Sequence, residues 1–244
     1  MHFDSPDERG IDTAMLYRKD YITINSAEQI PVYLTTNEGR RDFTRDILHV
    51  NVTLEQQTLH ILINHWPSRR AGAEVTSAKR IAVAERNRTK INELLLEDSD
   101  ARIIVMGDFN DDPIESSFKK IMKTKAKKKN VGEMDIYNPY EDLHRRGFNT
   151  LGYRDNINLF DMILISSPLL DKGKKDFSDY KMFQAKIFNK RFLTGRKGQY
   201  KGYPFRSFSN NKFTGGFSDH FPVYMYVIKE VPSVLSDISP KGRD

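Results

Sequence analysis

The chain has 244 residues, of which 38% are hydrophobic and 11% aromatic, so it can bury one sizeable core. Its formal net charge of +6 fits a polyanionic partner, such as nucleic acid, a phosphorylated small molecule or an anionic membrane surface. The lack of cysteine excludes a disulfide framework and a thiolate zinc site, so any bound metal has oxygen or imidazole ligands. No apolar run is long enough to cross a bilayer, which indicates a soluble chain.

The first clear elements are two strands with alternating apolar residues. "DILHVNVTL" places Leu48, Val50 and Val52 on one face. After the polar turn "EQQ", the segment "TLHILINH" repeats the pattern and ends at Asn64 and His65. We therefore predict a hairpin whose second strand brings His65 to the edge of a sheet.

Strands and helices alternate along the rest of the chain. Helical spacing of apolar residues predicts an amphipathic helix from Glu74 to about Glu97. "RIIVM" predicts a buried strand, "SFKKIM" a short helix, "LFDMILI" another buried strand and "PVYMYVI" the last strand. From Asp171 to Asn211 we expect long loops with one short helix around "KMFQAKIF". Residues 1–231 should form one α/β domain, and residues 232–244 a C-terminal tail.

Polar residues gather at the ends of these strands. "VMGDFNDDP" presents Asp108 and Asn110 after one strand, and "GGFSDHFPV" presents Asp219 and His220 before the last. Taken singly, each segment is equally typical of a turn, where Asp, Asn and Gly are common. Asp161 lies inside an apolar run, and a buried carboxylate needs a partner. His220 is the natural candidate, because the carboxylate would fix the tautomer of the imidazole and raise its basicity.

The segments "NHWPSR", "MGDFNDDP", "FDMILIS" and "GGFSDHFPV", in this order, resemble the endonuclease/exonuclease/phosphatase family of deoxyribonuclease I-like phosphoesterases. The resemblance extends from "RGIDTAMLYR", Arg9 to Arg18, through Val227. It implies a four-layer α/β sandwich in which two mixed β-sheets pack face to face with helices outside. Family members carry an Asn and a metal-binding Glu upstream of the segment that matches Arg9 to Arg18. Because neither is found here, we expect the N-terminal part of the sandwich to be incomplete.

The resemblance also implies catalytic roles for His65, Asp108, Asn110, Asp161 and His220. Asp108 would orient or deprotonate the attacking water, and Asn110 would hold that water and a phosphate oxygen. His220, oriented by Asp161, would donate to the phosphate as negative charge builds on it. His65 would bind a non-bridging oxygen.

The same resemblance implies ligands for a metal and for the substrate. Asp219 would lie beside a divalent ion, and an oxygen-rich site suits Mg²⁺ or Mn²⁺. Asn64, Arg69, Tyr153 and Arg154 would contact the substrate, although a loop arginine is more often a solvated surface group.

We therefore expect a divalent-metal-dependent phosphoester hydrolase, either a phosphodiesterase or endonuclease or a phosphatase. Its substrate would be nucleic acid, a phospholipid head group or a sugar phosphate. The seven lysines from Lys119 to Lys129 either steer a polyanion or form an exposed helix end. The alternative is an inactive member that serves as a binding or scaffold module, but such a module has no use for carboxylates beside a phosphate. The cellular compartment stays open, since any signal peptide would lie upstream.

Overall fold

The computed structural model describes residues 1–36, 38–153, 156–173 and 175–231. The strands are β1 (Ile22–Ile30), β2 (Leu34–Thr35), β3 (Arg41–Asp42), β4 (Ile47–Leu54), β5 (Gln57–His65), β6 (Ile103–Asp108), β7 (Thr124–Lys125), β8 (Ile136–Tyr137), β9 (Leu151–Tyr153), β10 (Asn156–Asn158), β11 (Asp161–Ser166), β12 (Lys181–Ile187), β13 (Phe208–Ser209), β14 (Lys212–Phe213) and β15 (Val223–Ile228). The α-helices are α1 (Ser77–Glu97) and α2 (Tyr140–Arg145). One π-helical turn (Ser117–Ile121) and four 3₁₀ turns (Lys128–Asn130, Ser167–Leu169, Arg191–Leu193 and Gly198–Tyr200) complete the described elements.

A central mixed sheet has the strand order β1-β4-β5-β6-β11-β8-β7. The predicted hairpin is confirmed: β4 and β5 pair antiparallel, from Leu48 opposite Ile63 to Leu54 opposite Gln57. β5 then runs parallel to β6, whereas β11 runs antiparallel to it. The ends of β5 and β6 and the start of β11 therefore meet at one edge of the sheet.

Helix α1 covers one face of the central sheet. Its buried residues Ala84, Ile91 and Leu94 share a core cluster with Leu62 and Val105. The helix begins three residues after the predicted start at Glu74, because the preceding residues form a turn in which the Thr76 amide donates to the Gly72 carbonyl. The segment "SFKKIM", predicted as a short helix, forms the π-helical turn.

A second sheet packs on the opposite face of the central sheet. It pairs β12 with β15, and Met182, Ala185 and Met225 contact a core cluster that contains Val50 and Ile61. The short helix predicted around "KMFQAKIF" is wrong, because this segment is strand β12. Its apolar residues lose strict alternation at a register shift between Met182 and Gln184. The result is the expected α/β sandwich, with two sheets face to face and α1 outside.

No helix in the described part of the chain is both long and apolar enough to cross a membrane. The predicted C-terminal tail, residues 232–244, lies outside the described residues.

Candidate active site

The next-to-last residue of strand β6 is a glycine that no other residue can replace without strain. Gly107 has a φ of +142°, and a Cβ placed on it would lie 1.9 Å from the backbone oxygen of Asn64. The backbones of β5 and β6 approach closely here, and the next residue, Asp108, aligns with His65. The carboxylate of Asp108 is then fixed by its own loop, since Oδ1 accepts the amide N–H of Asn110 at 2.9 Å. The turn therefore places the carboxylate of Asp108 at the edge of the sheet where β5, β6 and β11 meet.

Asp108 faces a second carboxylate and a histidine. Asp161, the first residue of β11, is the register partner of Asp108. Nδ1 of His220 lies 2.8 Å from Oδ2 of Asp161 and 3.8 Å from Oδ2 of Asp108. One potential ligand atom from each of the three residues lies within 4.8 Å of the other two. The sequence-predicted partnership of His220 with Asp161 is present in this geometry.

Thr150 joins the segments that carry Asp161 and His220. Its hydroxyl oxygen accepts the amide N–H groups of Phe160 at 3.1 Å and Asp161 at 3.3 Å. Its carbonyl accepts the amide N–H of Phe221 at 2.7 Å. Thr150 is fully buried, so these bonds are shielded from water. The sequence analysis missed this residue, and no local pattern marks it.

The three groups of the cluster perturb one another electrostatically. Burial and the negative charge of Asp161 raise the pKa of Asp108 to about 7. Burial alone would lower the pKa of His220, but the hydrogen bond and charge of Asp161 outweigh it and raise this pKa to about 9. At neutral pH His220 is therefore an imidazolium, and its Nε2 is a second donor besides the Nδ1 that faces Asp161.

His65 lies on the other side of Asp108. Its Nε2 is 3.7 Å from Oδ2 of Asp108. Burial lowers the pKa of His65 to about 4, and the positive charges of Arg45 and Arg9 act in the same direction. The ring is therefore neutral at pH 7. Arg45 also holds the strand end, because its guanidinium donates to the carbonyls of His65 at 3.1 Å and Trp66 at 2.6 Å.

The two asparagines of the sequence prediction have different surroundings. Asn64 is 3% exposed, and its Oδ1 accepts the indole N–H of Trp66 and the side-chain amide of Asn87. The structure therefore does not bring this side chain to the carboxylate cluster. Asn110 has a φ of +50°, and its Nδ2 donates to the Trp66 carbonyl at 3.0 Å. It lies two residues from Asp108, at the base of the site.

Arg69 is turned into the loop that follows Asp108. Its guanidinium donates to the Asn110 carbonyl at 2.8 Å and to Oδ1 of Asp111 at 2.8 Å. It also lies over the ring of Phe160, 4.6 Å from the centroid. Asp111 is shared with the buried guanidinium of Arg80 at 2.6 Å. The structure therefore gives Arg69 the contacts of a loop anchor rather than a free phosphate ligand.

The remaining predicted residues either lie apart from the cluster or fall outside the described part of the chain. Asp219 is exposed and is not among the residues that could share a metal ion with Asp108. Its charge still contributes to the raised pKa of His220. The backbone of Tyr153 ends β9, whereas its side chain and Arg154 lie outside the described part of the chain.

The lysine run lies partly at the far end of the sheet. Strand β7, inside this run, pairs with β8, and β8 pairs with β11 at Ile165 and Ser166, away from Asp161. Lys119 is bound to Glu141 at 2.7 Å.

Within the described residues, two groups could hold a metal ion. One is the exposed set His2, Asp4 and Asp12, and the other is the cluster of Asp108, Asp161 and His220. The second fits a hard divalent cation, because two carboxylates face each other across neighbouring strands. Because the charge of Asp161 raises the pKa of Asp108, a cation between them would relieve a repulsion that is present in the structure. 

Comparisons with known proteins agree with this architecture. Residues 1–229 match the sequence profile described as the Endonuclease/Exonuclease/phosphatase family. No curated protein matches the sequence significantly. Humanized D. rerio TDP2 is similar in structure, with a TM-score of 0.54 and 17% identity over 86% of this chain and 69% of that one.

Two further structures share the fold. Mannosyl-6-phosphatase of Bacteroides thetaiotaomicron has a TM-score of 0.51 and 15% identity over 87% of this chain and 69% of that one. Truncated Caenorhabditis elegans TDP2 has a TM-score of 0.50 and 14% identity over 83% and 65% of the respective chains. At these identities the likeness shows the fold alone. Because the family profile matches nearly the whole chain, the protein belongs to the endonuclease/exonuclease/phosphatase family.

Proposed function

We propose that the chain is a divalent-metal-dependent phosphoester hydrolase whose reaction centre is formed by Asp108, Asp161 and His220. One observation carries the proposal: the three side chains converge within 4.8 Å from the ends of two strands and a loop. Membership in the endonuclease/exonuclease/phosphatase family supports phosphoester hydrolysis as the general activity. An acidic pair beside an imidazolium can activate the attacking water and stabilise the charge that develops on a phosphoester.

Asp108 has the properties of a general base. Burial is the largest cause of its raised pKa, and a carboxylate with a raised pKa accepts a proton from water more readily than an ordinary one. Oδ1 is occupied by the amide of Asn110, so Oδ2 is the oxygen that can accept a proton from water. Oδ2 is also the oxygen nearest to His65 and His220.

His220 is suited to stabilise the charge that develops on the phosphate. Asp161 holds Nδ1, which fixes the orientation of the ring and keeps it protonated. Nε2 is then a charged donor for a non-bridging or leaving oxygen. His65, neutral at pH 7, provides a second polar group on the opposite side of Asp108.

The carboxylates of Asp108 and Asp161 are the residues that would hold Mg²⁺ or Mn²⁺. Such an ion, when bound, supplies Lewis-acid polarisation of the phosphoryl group. The chain's own residues position water, hold the imidazolium and receive the proton.

The similar structures include a mannosyl-6-phosphatase, so the fold is compatible with hydrolysis of a phosphoester. Turnover of bis(p-nitrophenyl) phosphate and p-nitrophenyl phosphate with Mg²⁺ or Mn²⁺, and with EDTA, tests the proposal. We expect hydrolysis of at least one ester that requires the metal and returns when metal is added after EDTA. Binding of both esters without turnover in either metal would instead support a non-catalytic binding module.

A further inference from the structure

A cleft of about 260 Å³ lies beside the candidate active site. Pro67 and Ser68, which follow His65 and Trp66 in the chain, form part of its wall. Arg45 also lines the cleft, and the same guanidinium donates to the His65 carbonyl at 3.1 Å. The cleft is therefore continuous with the end of β5 that carries His65.

The wall of the cleft carries more positive than negative charge. Its cations are Arg9, Arg45, Arg70 and Lys79, and its carboxylates are Asp7, Glu8 and Asp42. Most of these charges are already neutralised: Arg45 binds Asp7 at 2.9 Å, and Lys79 binds Asp42.

Arg70 differs from the other cations of the wall. It is exposed, and it makes no ion pair with any residue that the structure describes. Among the described residues, Arg9 forms an ion pair only with Asp7, at 3.6 Å, and Arg45 binds the same carboxylate. Glu8 is the one carboxylate left to oppose these two guanidinium groups. An uncommitted guanidinium in a concave site favours a phosphate, because its donors match the phosphate oxygens.

The buried wall also contains an unsatisfied hydroxyl group. Thr44 is 3% exposed and lines the cleft, yet its Oγ1 has no hydrogen-bond partner in the described structure. Burying a hydroxyl without a partner is destabilising, so such groups usually serve a bound molecule or a water. Ser68 adds a second hydroxyl to the same wall. Guanidinium and hydroxyl donors together match the oxygens of a phosphate group.

We propose that this cleft binds a second phosphate group of the substrate, so that the chain prefers phosphoesters with a neighbouring phosphate over isolated phosphoesters. This inference rests on the proposed function for the reacting phosphate, whereas the cleft itself can bind phosphate independently of it.

Binding of inorganic phosphate, measured by isothermal titration calorimetry in EDTA, tests the cleft without requiring turnover. We expect Arg70→Gln to weaken phosphate binding about tenfold, the effect of losing one charged hydrogen bond. Thr44→Val should weaken it by a smaller factor. Arg18→Gln is the matched control, because Arg18 is an exposed arginine outside the cleft, and it should leave binding unchanged. His220→Asn should leave the Arg70-dependent part of the binding unchanged.

Unchanged binding in Arg70→Gln, or loss of the Arg70-dependent binding in His220→Asn, would overturn the proposal, the second by placing that phosphate at the catalytic cluster. The kcat/KM ratio for a 5′-phosphorylated dinucleotide over the unphosphorylated dinucleotide provides the second readout. It should exceed one in the wild type and fall towards one in Arg70→Gln. If neither dinucleotide is hydrolysed while phosphate binding still depends on Arg70, the hydrolase proposal fails and the cleft proposal stands.

Discussion

His220 Nδ1 lies 2.8 Å from Asp161 Oδ2, although 59 positions separate the two residues in the chain. The contact depends on β11 beginning at Asp161 beside the end of β6, and on the loop before β15 returning to the same edge. Thr150 bonds to both segments. The fold therefore produces a charged imidazole beside a carboxylate pair, and each part of this arrangement can be tested separately.

Asp161→Asn should lower the pKa of His220. The wild-type value of about 9 depends on the hydrogen bond and charge of Asp161, while burial acts in the opposite direction. With the charge removed, we expect the pKa to fall by at least about 1 unit, the typical scale of an opposite-charge neighbour. The measurement is an NMR titration of the His220 ring in metal-free buffer. An unchanged pKa would show that Asp161 does not hold the imidazolium.

Gly107→Ala should disrupt the site more than its small size suggests. The added methyl group meets the Asn64 backbone oxygen at 1.9 Å, so β5 and β6 must separate. We expect a loss of about 3 kcal/mol or more in the free energy of unfolding, measured by urea denaturation. Gly147→Ala is the control. Gly147 also has a positive φ, of +82°, but no atom lies within 4 Å of a Cβ added there, so only the cost of the backbone conformation remains. Equal losses in the two variants would argue against the close approach.

Thr150→Val should slow catalysis because Asp161 and His220 lose their positions, and not because Thr150 contacts the substrate. Valine keeps the shape but leaves the amides of Phe160 and Asp161 without their acceptor, which costs about 1–3 kcal/mol in unfolding free energy. We expect kcat to fall while KM changes little, and Thr150→Ser to restore kcat because it returns the hydroxyl. Failure of the serine variant to recover, despite a normal fold, would contradict this role.

Acidification should remove the contribution that the half-buried His60 makes to stability. The pKa of His60 is lowered to about 4, chiefly by burial, against an ordinary value of 6.5. Between these values the unfolded chain binds a proton that the folded chain does not, so stability falls as the pH falls. The slope from this residue is at most about 1.4 kcal/mol per pH unit. In urea unfolding between pH 7 and pH 4, the free energy of unfolding of the wild type should fall relative to that of His60→Gln, and a constant difference between the two would remove His60 as a cause.

The sequence was informative where the signal was local. Alternating apolar residues predicted β4 and β5, and the carboxylate inside an apolar run correctly singled out Asp161 as a residue in need of a partner. The irregular pattern of β12 misled the helix prediction, because a register shift interrupts its alternation.

Long-range contacts were beyond this kind of inference. Asn64 and His65 are neighbours on one strand, whose successive side chains point to opposite faces, and only the fold shows that His65 reaches Asp108. The partner of Arg69 was equally hidden, since Asp111 is 42 positions away. No sequence pattern marks Thr150, because its hydrogen bonds go to backbone N–H groups, which any residue provides, rather than to the side chains of a motif.

The most direct test of the central claim is the rate of metal-dependent phosphodiester hydrolysis in Asp108→Asn, His220→Ala and the double variant. Arg18→Gln, on an exposed arginine outside the cleft, serves as the matched control. We predict that each single variant loses about 100-fold or more in kcat/KM, and that the double variant loses less than the product of the two, because the groups act on the same phosphate. Wild-type rates in Asp108→Asn and His220→Ala would contradict the account.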